Sequence, residues 1–268
     1  MIVIKIGGSV VDGLHSSALA DIKSMAEEHP LVFVHGGGKE VTSTATKLGK
    51  EQKFIMSPGG VRSRYTDKET AEIYTMVMSG KLNKSIVQML LRNGINAAGI
   101  AGIDGGVLKA ERKKKLLIIN ENGRKMVIEG GYTGKITSVD ATLISNLVRS
   151  GYVPVISPIA LSEDFDFLNV DGDRAAAYVA GGIKAEKVIF VTDVNGLMLN
   201  RKLVNSMTLN EAKSALPKIG SGMDKKVLAC IEAIEMGVKE AIIASGQVEN
   251  PLSAAVAHRD CTVIGHIE

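Results

Sequence analysis

Two lysines and an aspartate, each beside a glycine-rich turn, are the residues whose type and setting suggest chemistry. Lys5 stands near the carboxyl end of the apolar run Val3-Ile4-Lys5-Ile6, and Gly7, Gly8 and Ser9 follow it. The run Val34-His35-Gly36-Gly37-Gly38 repeats the arrangement before a helical stretch opens at Lys39-Glu40. Bare backbone N–H groups beside a helix N-terminus form a cradle for phosphate. Asn169-Val170-Asp171-Gly172-Asp173 precedes an alanine-rich helical stretch, so Asp173 could be a plain helix cap or a charged organiser. Downstream, Gly220-Ser221-Gly222 leads into Met223-Asp224-Lys225-Lys226. Lysines in a first helical turn oppose the helix dipole, and an anion to be met would account for them.

Other chemistries fail on spacing. Gly131-Tyr132-Thr133-Gly134-Lys135 resembles a P-loop fragment, but Glu129 replaces its first glycine and Ile136 its Ser/Thr. The glycines between Gly99 and Gly106 miss the dinucleotide fingerprint. His258-Arg259-Asp260 lacks the downstream Asn and Asp-Phe-Gly of a protein-kinase loop. The five histidines show no zinc-ligand spacing, and Cys230 and Cys261 lie in apolar stretches without CxxC spacing. No resident metal site, structural zinc or disulfide scaffold is expected.

The elements that must position these residues alternate in type. Short apolar runs at 2–6, 31–35, 96–100, 153–157, 187–192, 240–244 and 262–265 read as buried parallel strands. Helical patterns fall at 16–28, 40–48, 67–92, 140–150, 173–180, 223–236 and 251–258. The third has an expected interruption near Ser79-Gly80. This order predicts an α/β fold, a three-layer α/β/α sandwich around a mostly parallel sheet. Residues 107–128 break the alternation; with Asn122-Gly123 as the turn, they predict a β-hairpin insertion. Pro158 and the acidic stretch 163–166 divide the chain into lobes 1–160 and 161–268 on one continuous sheet, with the active site expected between them.

The 268 residues suffice for a sizeable core, with 45% hydrophobic and 23% charged residues. No apolar run approaches the ~18 residues of a membrane span, and the opening residues lack secretory-signal character. A cytoplasmic protein without a membrane partner is expected. A net charge of +3 and 4% aromatics give no footprint for nucleic acid.

Lys-x-Gly-Gly-Ser, His-Gly-Gly-Gly, Gly-Val-Arg, Asn-Val-Asp-Gly-Asp and Gly-Met-x-x-Lys, in this order along the whole chain, resemble the amino-acid kinase superfamily, in its acetylglutamate-kinase branch. The resemblance implies an acceptor-binding amino-terminal lobe, a carboxy-terminal lobe holding ATP, and Mg²⁺ carried on the ATP phosphates. It places Lys5 and Lys226 at the transferring phosphoryl group and Asp173 as organiser of both; Lys225 is the nearest rival to Lys226. Gly8, Gly37, Gly38 and Gly222 would be backbone donors to phosphate or acceptor, and Arg62 and Asn169 would bind the acceptor's α-carboxylate.

Residues 60–67, Gly80-Lys81-Leu82-Asn83-Lys84 and 110–115 are more similar to kinases that act on aminoadipate or glutamate attached to the small acidic carrier protein LysW. That resemblance implies a role in lysine, and possibly arginine, biosynthesis. Free N-acetylglutamate as acceptor is the alternative, and a silent nucleotide- or amino-acid-sensing module is the alternative from another class. The arginine-inhibited forms carry an extra amino-terminal helix, so a homodimer without arginine feedback is expected. Arg64 and the tract Arg112, Lys113, Lys114 and Lys115 would face the carrier, although a basic tract also discourages edge-to-edge strand pairing.

Overall fold

Strands buried on both faces must be apolar at nearly every position, and Ile2–Ile6, Leu31–His35, Val153–Ser157 and Cys261–Gly265 are buried throughout. The computed structural model describes residues 1–8, 14–60 and 62–265, so Ser9 and Val61 of the motifs lie outside it. An eight-stranded sheet has the order Ser206–Met207, Cys261–Gly265, Glu240–Ser245, Lys187–Thr192, Ile2–Ile6, Leu31–His35, Val153–Ser157, Ala97–Ala101. Its six consecutive strands from Glu240–Ser245 to Ala97–Ala101 are parallel, and Cys261–Gly265 joins antiparallel to them. Helices cover both faces, giving the expected three layers. Ile2, Ile4 and Ile6 pack with Ile22, Leu90 and Leu252 on one side, and Val3 packs with Ala176, Val179 and Ile231 on the other. Strand alternation therefore sends Lys5 toward the second layer, on the same side as Val3.

The expected insertion is built differently. Only Lys115–Ile119 and Lys125–Glu129 form a hairpin, closed where the Asn120 side chain accepts from the N–H groups of Asn122 and Arg124. It extends a four-stranded sheet with Phe54–Met56 and Arg62–Arg64. Leu108–Arg112 belongs instead to a second small sheet with Gly134–Val139, Ile159–Leu161 and Phe167–Asn169. The hairpin signal at Asn122-Gly123 was local, whereas partners more than twenty residues away decided where Leu108–Arg112 pairs. The acidic stretch near 163–166 turns between two strands of one small sheet, and the main sheet takes strands from both halves of the chain.

The interruption at Ser79-Gly80 takes a particular form. Lys68–Thr75 and Asn83–Arg92 are α-helical, and Met76–Leu82 between them is a π-helical segment. Such a segment shifts the facing of the turns after it. Asn83 thereby becomes fully buried, its amide donating to the Val155 carbonyl at 2.8 Å and lying 3.4 Å from His35 Nε2. Among the described residues no helix is long and apolar enough to cross a membrane. Asn83→Ala strips a buried carbonyl of its donor and should lower stability by about 1–3 kcal/mol, read from urea denaturation midpoints.

Candidate active site

Lys5 and Asp173 meet because strand and helix are packed face to face. The Lys5 stem runs beside Gly172, where an added Cβ would lie 3.7 Å from Lys5 Cε. The helix Gly172–Gly182 is capped by Asp171, whose carboxylate accepts from the N–H groups of Asp173 and Arg174. Asp173 is therefore not the cap, and its side chain is free for the cluster. Its carboxylate lies 2.7 Å from Lys5 Nζ and 3.1 Å from Lys226 Nζ, and only 7% of the residue is exposed. Lys226 arrives on the helix Met223–Glu235, which packs on Gly172–Gly182 through small side chains such as Ala176 and Ala229. A bidentate pair between Arg174 and Glu232 ties the same two helices. Burial pushes the Asp173 carboxyl up, but the two lysines outweigh it and hold the group below the usual carboxylate range. One carboxylate between two ammonium groups leaves a local excess of one positive charge.

Lys5 and Asp173 line a cleft of about 910 Å³, with Lys226 and Gly222 outside its lining. Gly8, Gly37 and Gly38 line it beside Lys5. The two glycine turns touch: Gly36 N–H donates to the Ile6 carbonyl at 2.8 Å, and a Cβ on Gly8 would sit 2.6 Å from Gly37 Cα. A Cβ on Gly37 would meet Leu82 at 2.0 Å. Glycine is therefore dictated here by close approach of main chains and packing.

Arg62 and Asn169 line the cleft as well. The Arg62 guanidinium stacks 4.2 Å from the Phe54 ring centroid, and Asn169 donates to the Thr66 hydroxyl at 3.0 Å. Lys225 also lines the cleft and donates to the Arg62 carbonyl at 3.1 Å, whereas Lys226 reaches Asp173. Gly222 adopts a left-handed φ of 97° as the N-cap of Met223–Glu235, and its N–H donates to Asp224 at 2.7 Å. That N–H is taken up within its own turn.

The five basic residues assigned to a carrier do not form one patch. Arg64 is spent inside the wall, donating to the Gly38 carbonyl and the Thr42 hydroxyl, both at 2.8 Å, and to Gln52; burial lowers its pKa. Arg112 donates to the Gly131 carbonyl, pairs with Asp166 and stacks on Tyr132. Lys113, Lys114 and Lys115 are all exposed, and of the three Lys113 lines the cleft. Sequence spacing alone missed the Arg174–Glu232 clamp and the role of His35. His35 is buried, with Nδ1–H donating to the Gly36 carbonyl at 3.1 Å and Nε2 facing the Asn83 amide. Burial lowers its pKa to about 4, so it is a neutral strut under the glycine turn.

Among the described residues no group of three or more acidic, His or Cys side chains could hold a metal. Asp173 is already shared by two lysines, so these residues fit a divalent ion that arrives on a phosphate ligand better than one caged by protein carboxylates.

A cleft with paired lysines on a sandwich of this topology defines a class. Residues 1–245 match the family described as Amino acid kinase family, and the chain belongs to it. Over 99% of its length it is 62% identical to a Nitrosopumilus maritimus protein provisionally named LysW-aminoadipate/LysW-glutamate kinase, covering all of that protein. It is 46% identical, over 97% of its length and 98% of the relative's, to a Metallosphaera sedula protein named LysW-aminoadipate/LysW-glutamate kinase. The fold is also that of a Streptococcus mutans protein of known structure (TM-score 0.79, 22% identity, 99% and 98% of the two chains). Carbamate kinase from Giardia lamblia bound to AMP-PNP shares it too (TM-score 0.68, 14% identity, 98% and 97%). Family membership implies the use of ATP.

Asp173→Asn removes the only carboxylate between two lysines and should cost about 3–5 kcal/mol. The wild-type contribution is present above the ordinary carboxylate pKa and lost as pH falls through the depressed folded value, so the variant's acid limb of stability should be flatter. His35 acts in a separate window. The unfolded chain takes up its proton below about pH 6.5 and the folded one only near 4, so falling pH favours unfolding by about 3 kcal/mol across that interval. His35→Gln should remove this slope, measured as urea stability at pH 7 and pH 4.5.

Proposed function

We propose that this protein transfers the γ-phosphoryl group of MgATP to the side-chain carboxylate of aminoadipate or glutamate carried by LysW, giving an acyl phosphate and ADP. The observation that carries this reading is the Lys5–Asp173–Lys226 cluster against two touching glycine turns, in a chain 62% and 46% identical to relatives named for that activity. The names of those relatives favour a carrier-borne acceptor over free N-acetylglutamate, and the intact cluster disfavours a silent sensing module.

A carboxylate with an ordinary pKa near 4.3 is already ionised at neutral pH and needs no catalytic base. The neutral, buried His35 accords with that. The difficulty is to bring one anion up to another, which calls for positioning and fixed positive charge. Lys5, from the first strand, and Lys226, from a helix of the carboxy-terminal half, would compensate charge on the transferring group. Asp173 would hold the two ammonium groups in place. The main-chain N–H groups of Gly8, Gly37 and Gly38 would add donors, with Gly222 shaping the turn that brings in Lys226. Mg²⁺ bound to the ATP phosphates would neutralise part of their charge. Arg62 and Asn169 would hold the acceptor's α-carboxylate. In this scheme residues 1–160 present the acceptor and 161–268 the nucleotide.

A basic outer face at Lys114, Lys115, Arg124 and Lys125, with Arg64 and Arg112 bracing the wall behind it, would steer an acidic carrier. The reading includes a cytoplasmic homodimer.

Hydroxylamine added to enzyme, MgATP and loaded LysW should trap the acyl phosphate as a hydroxamate; absence of hydroxamate and of ADP sinks the reading. Lys5→Ala and Lys226→Ala should each lower kcat at least about a hundredfold with the fold retained by circular dichroism. Reversing Lys114 and Lys115 to Glu should raise KM for loaded LysW at low salt and flatten its salt dependence, with KM for ATP unchanged.

A further inference from the structure

Lys225 and Lys226 are adjacent in the first turn of Met223–Glu235, yet they turn to different parts of the protein. Successive side chains on a helix point about 100° apart, so neighbours meet different surroundings. Lys226 reaches Asp173, and Lys225 crosses the cleft to the Arg62 carbonyl, each at 3.1 Å. Arg62 stands 163 residues earlier in the chain, on the strand Arg62–Arg64 of the opposite wall. Among the described residues this is the one hydrogen bond between the helix Met223–Glu235 and residues 1–160.

The loop before the helix does little to fix that first turn by packing. A Cβ on Gly220 or Gly222 would meet nothing within 4 Å, and Gly222 has the left-handed φ of 97°. Polar contacts hold the turn instead. The Asp224 carboxylate accepts from the N–H groups of Gly222 at 2.7 Å and Lys225 at 2.8 Å. The body of the helix is anchored farther along, by small residues such as Ala229 and by the Arg174–Glu232 pair. The aim of Lys226 therefore depends on what the first turn is tied to, and Lys225 ties it across the cleft.

We infer that Lys225 is a positioning residue that couples the two substrates: its hydrogen bond across the cleft aligns the turn bearing Lys226 with the strand bearing Arg62. This rests on the function proposed above, in which Arg62 holds the acceptor's α-carboxylate and Lys226 faces the transferring phosphoryl group. An acceptor that engages the Arg62 guanidinium orders the strand whose carbonyl receives Lys225. A nucleotide that engages Lys226 orders the turn from which Lys225 donates. Each ligand lessens the ordering left for the other, so the two bind with positive coupling, equal in size whichever binds first. The main-chain carbonyl survives any substitution of Arg62, so the bond is tested from the lysine.

The test is calorimetry of Mg·AMP-PNP binding, without and with saturating loaded LysW, on wild type, Lys225→Met and Lys225→Arg. Wild type should bind the nucleotide about five- to tenfold tighter when loaded LysW is present. Lys225→Met should match wild type in the absence of carrier and lose most of the tightening with it. Lys225→Arg, which can still donate to a carbonyl, should restore the tightening. In turnover with loaded LysW, Lys225→Met should lower kcat about tenfold at a nearly unchanged melting temperature, since one partly exposed hydrogen bond contributes little to stability. Nucleotide affinity in wild type that ignores the carrier overturns the inference, as does full coupling in Lys225→Met. If Lys225→Met weakens Mg·AMP-PNP binding equally with and without carrier, the lysine acts on the nucleotide directly and the inference fails. Wild-type enzyme that makes no hydroxamate from loaded LysW defeats instead the function on which it rests.

Discussion

One buried carboxylate shared by two lysines is the constraint on which the rest of the structure depends. Asp173 at 7% exposure, with Lys5 at 2.7 Å and Lys226 at 3.1 Å, holds a strand and two helices to one point. Desolvation makes each of these charges expensive alone, and together they still carry an excess positive charge at the cleft edge. The cluster is therefore both a tether between distant parts of the chain and a fixed field for an incoming anion. The small residues where Gly172–Gly182 meets Met223–Glu235 allow the close packing that this requires, and the Arg174–Glu232 pair secures it a few residues along.

The glycine turns supply what the lysines lack, which is direction. Their contact at Gly8 and Gly37 leaves no room for side chains, so main-chain N–H groups can approach a phosphate closely. Beneath them a neutral His35 and a fully buried Asn83 hold the second turn. Asn83 opens the helix that follows the π-helical segment Met76–Leu82.

The two small sheets make the other wall. Phe54, Ile55 and the stretch Leu116 to Ile118 give it an apolar surface, with Arg62 stacked on Phe54 and Lys113 entering from the crossing strand. This wall separates basic residues that are contiguous in the chain. Arg112 turns to Asp166 and Tyr132, Lys113 lines the cleft, and Lys114 and Lys115 stand outside.

The main sheet, its covering helices and the glycine-turn motifs were legible because they depend on local pattern. Unbroken apolar runs mean strands buried on both faces, glycine after such a run means a turn without side-chain bulk, and a lysine near that turn must lie near the ligand edge. The three charged members of the cluster were named through the family resemblance that these motifs carry, since the residues alone left Lys225 and Lys226 as alternatives. Other features had no local signal. Whether Asp171 or Asp173 capped the helix depended on what faced each carboxylate, and the tertiary structure gave the cap to Asp171. The pairing of Leu108–Arg112 was decided by Gly134–Val139 and Ile159–Leu161, against a nearer hairpin signal. A run of four basic residues reads as one patch, yet alternation along strands and the crossing between two sheets sent its members to different places. Sequence determines which side chains and turns are available; the burial of charge and the long-range pairing of strands decide which of them face the same ligand.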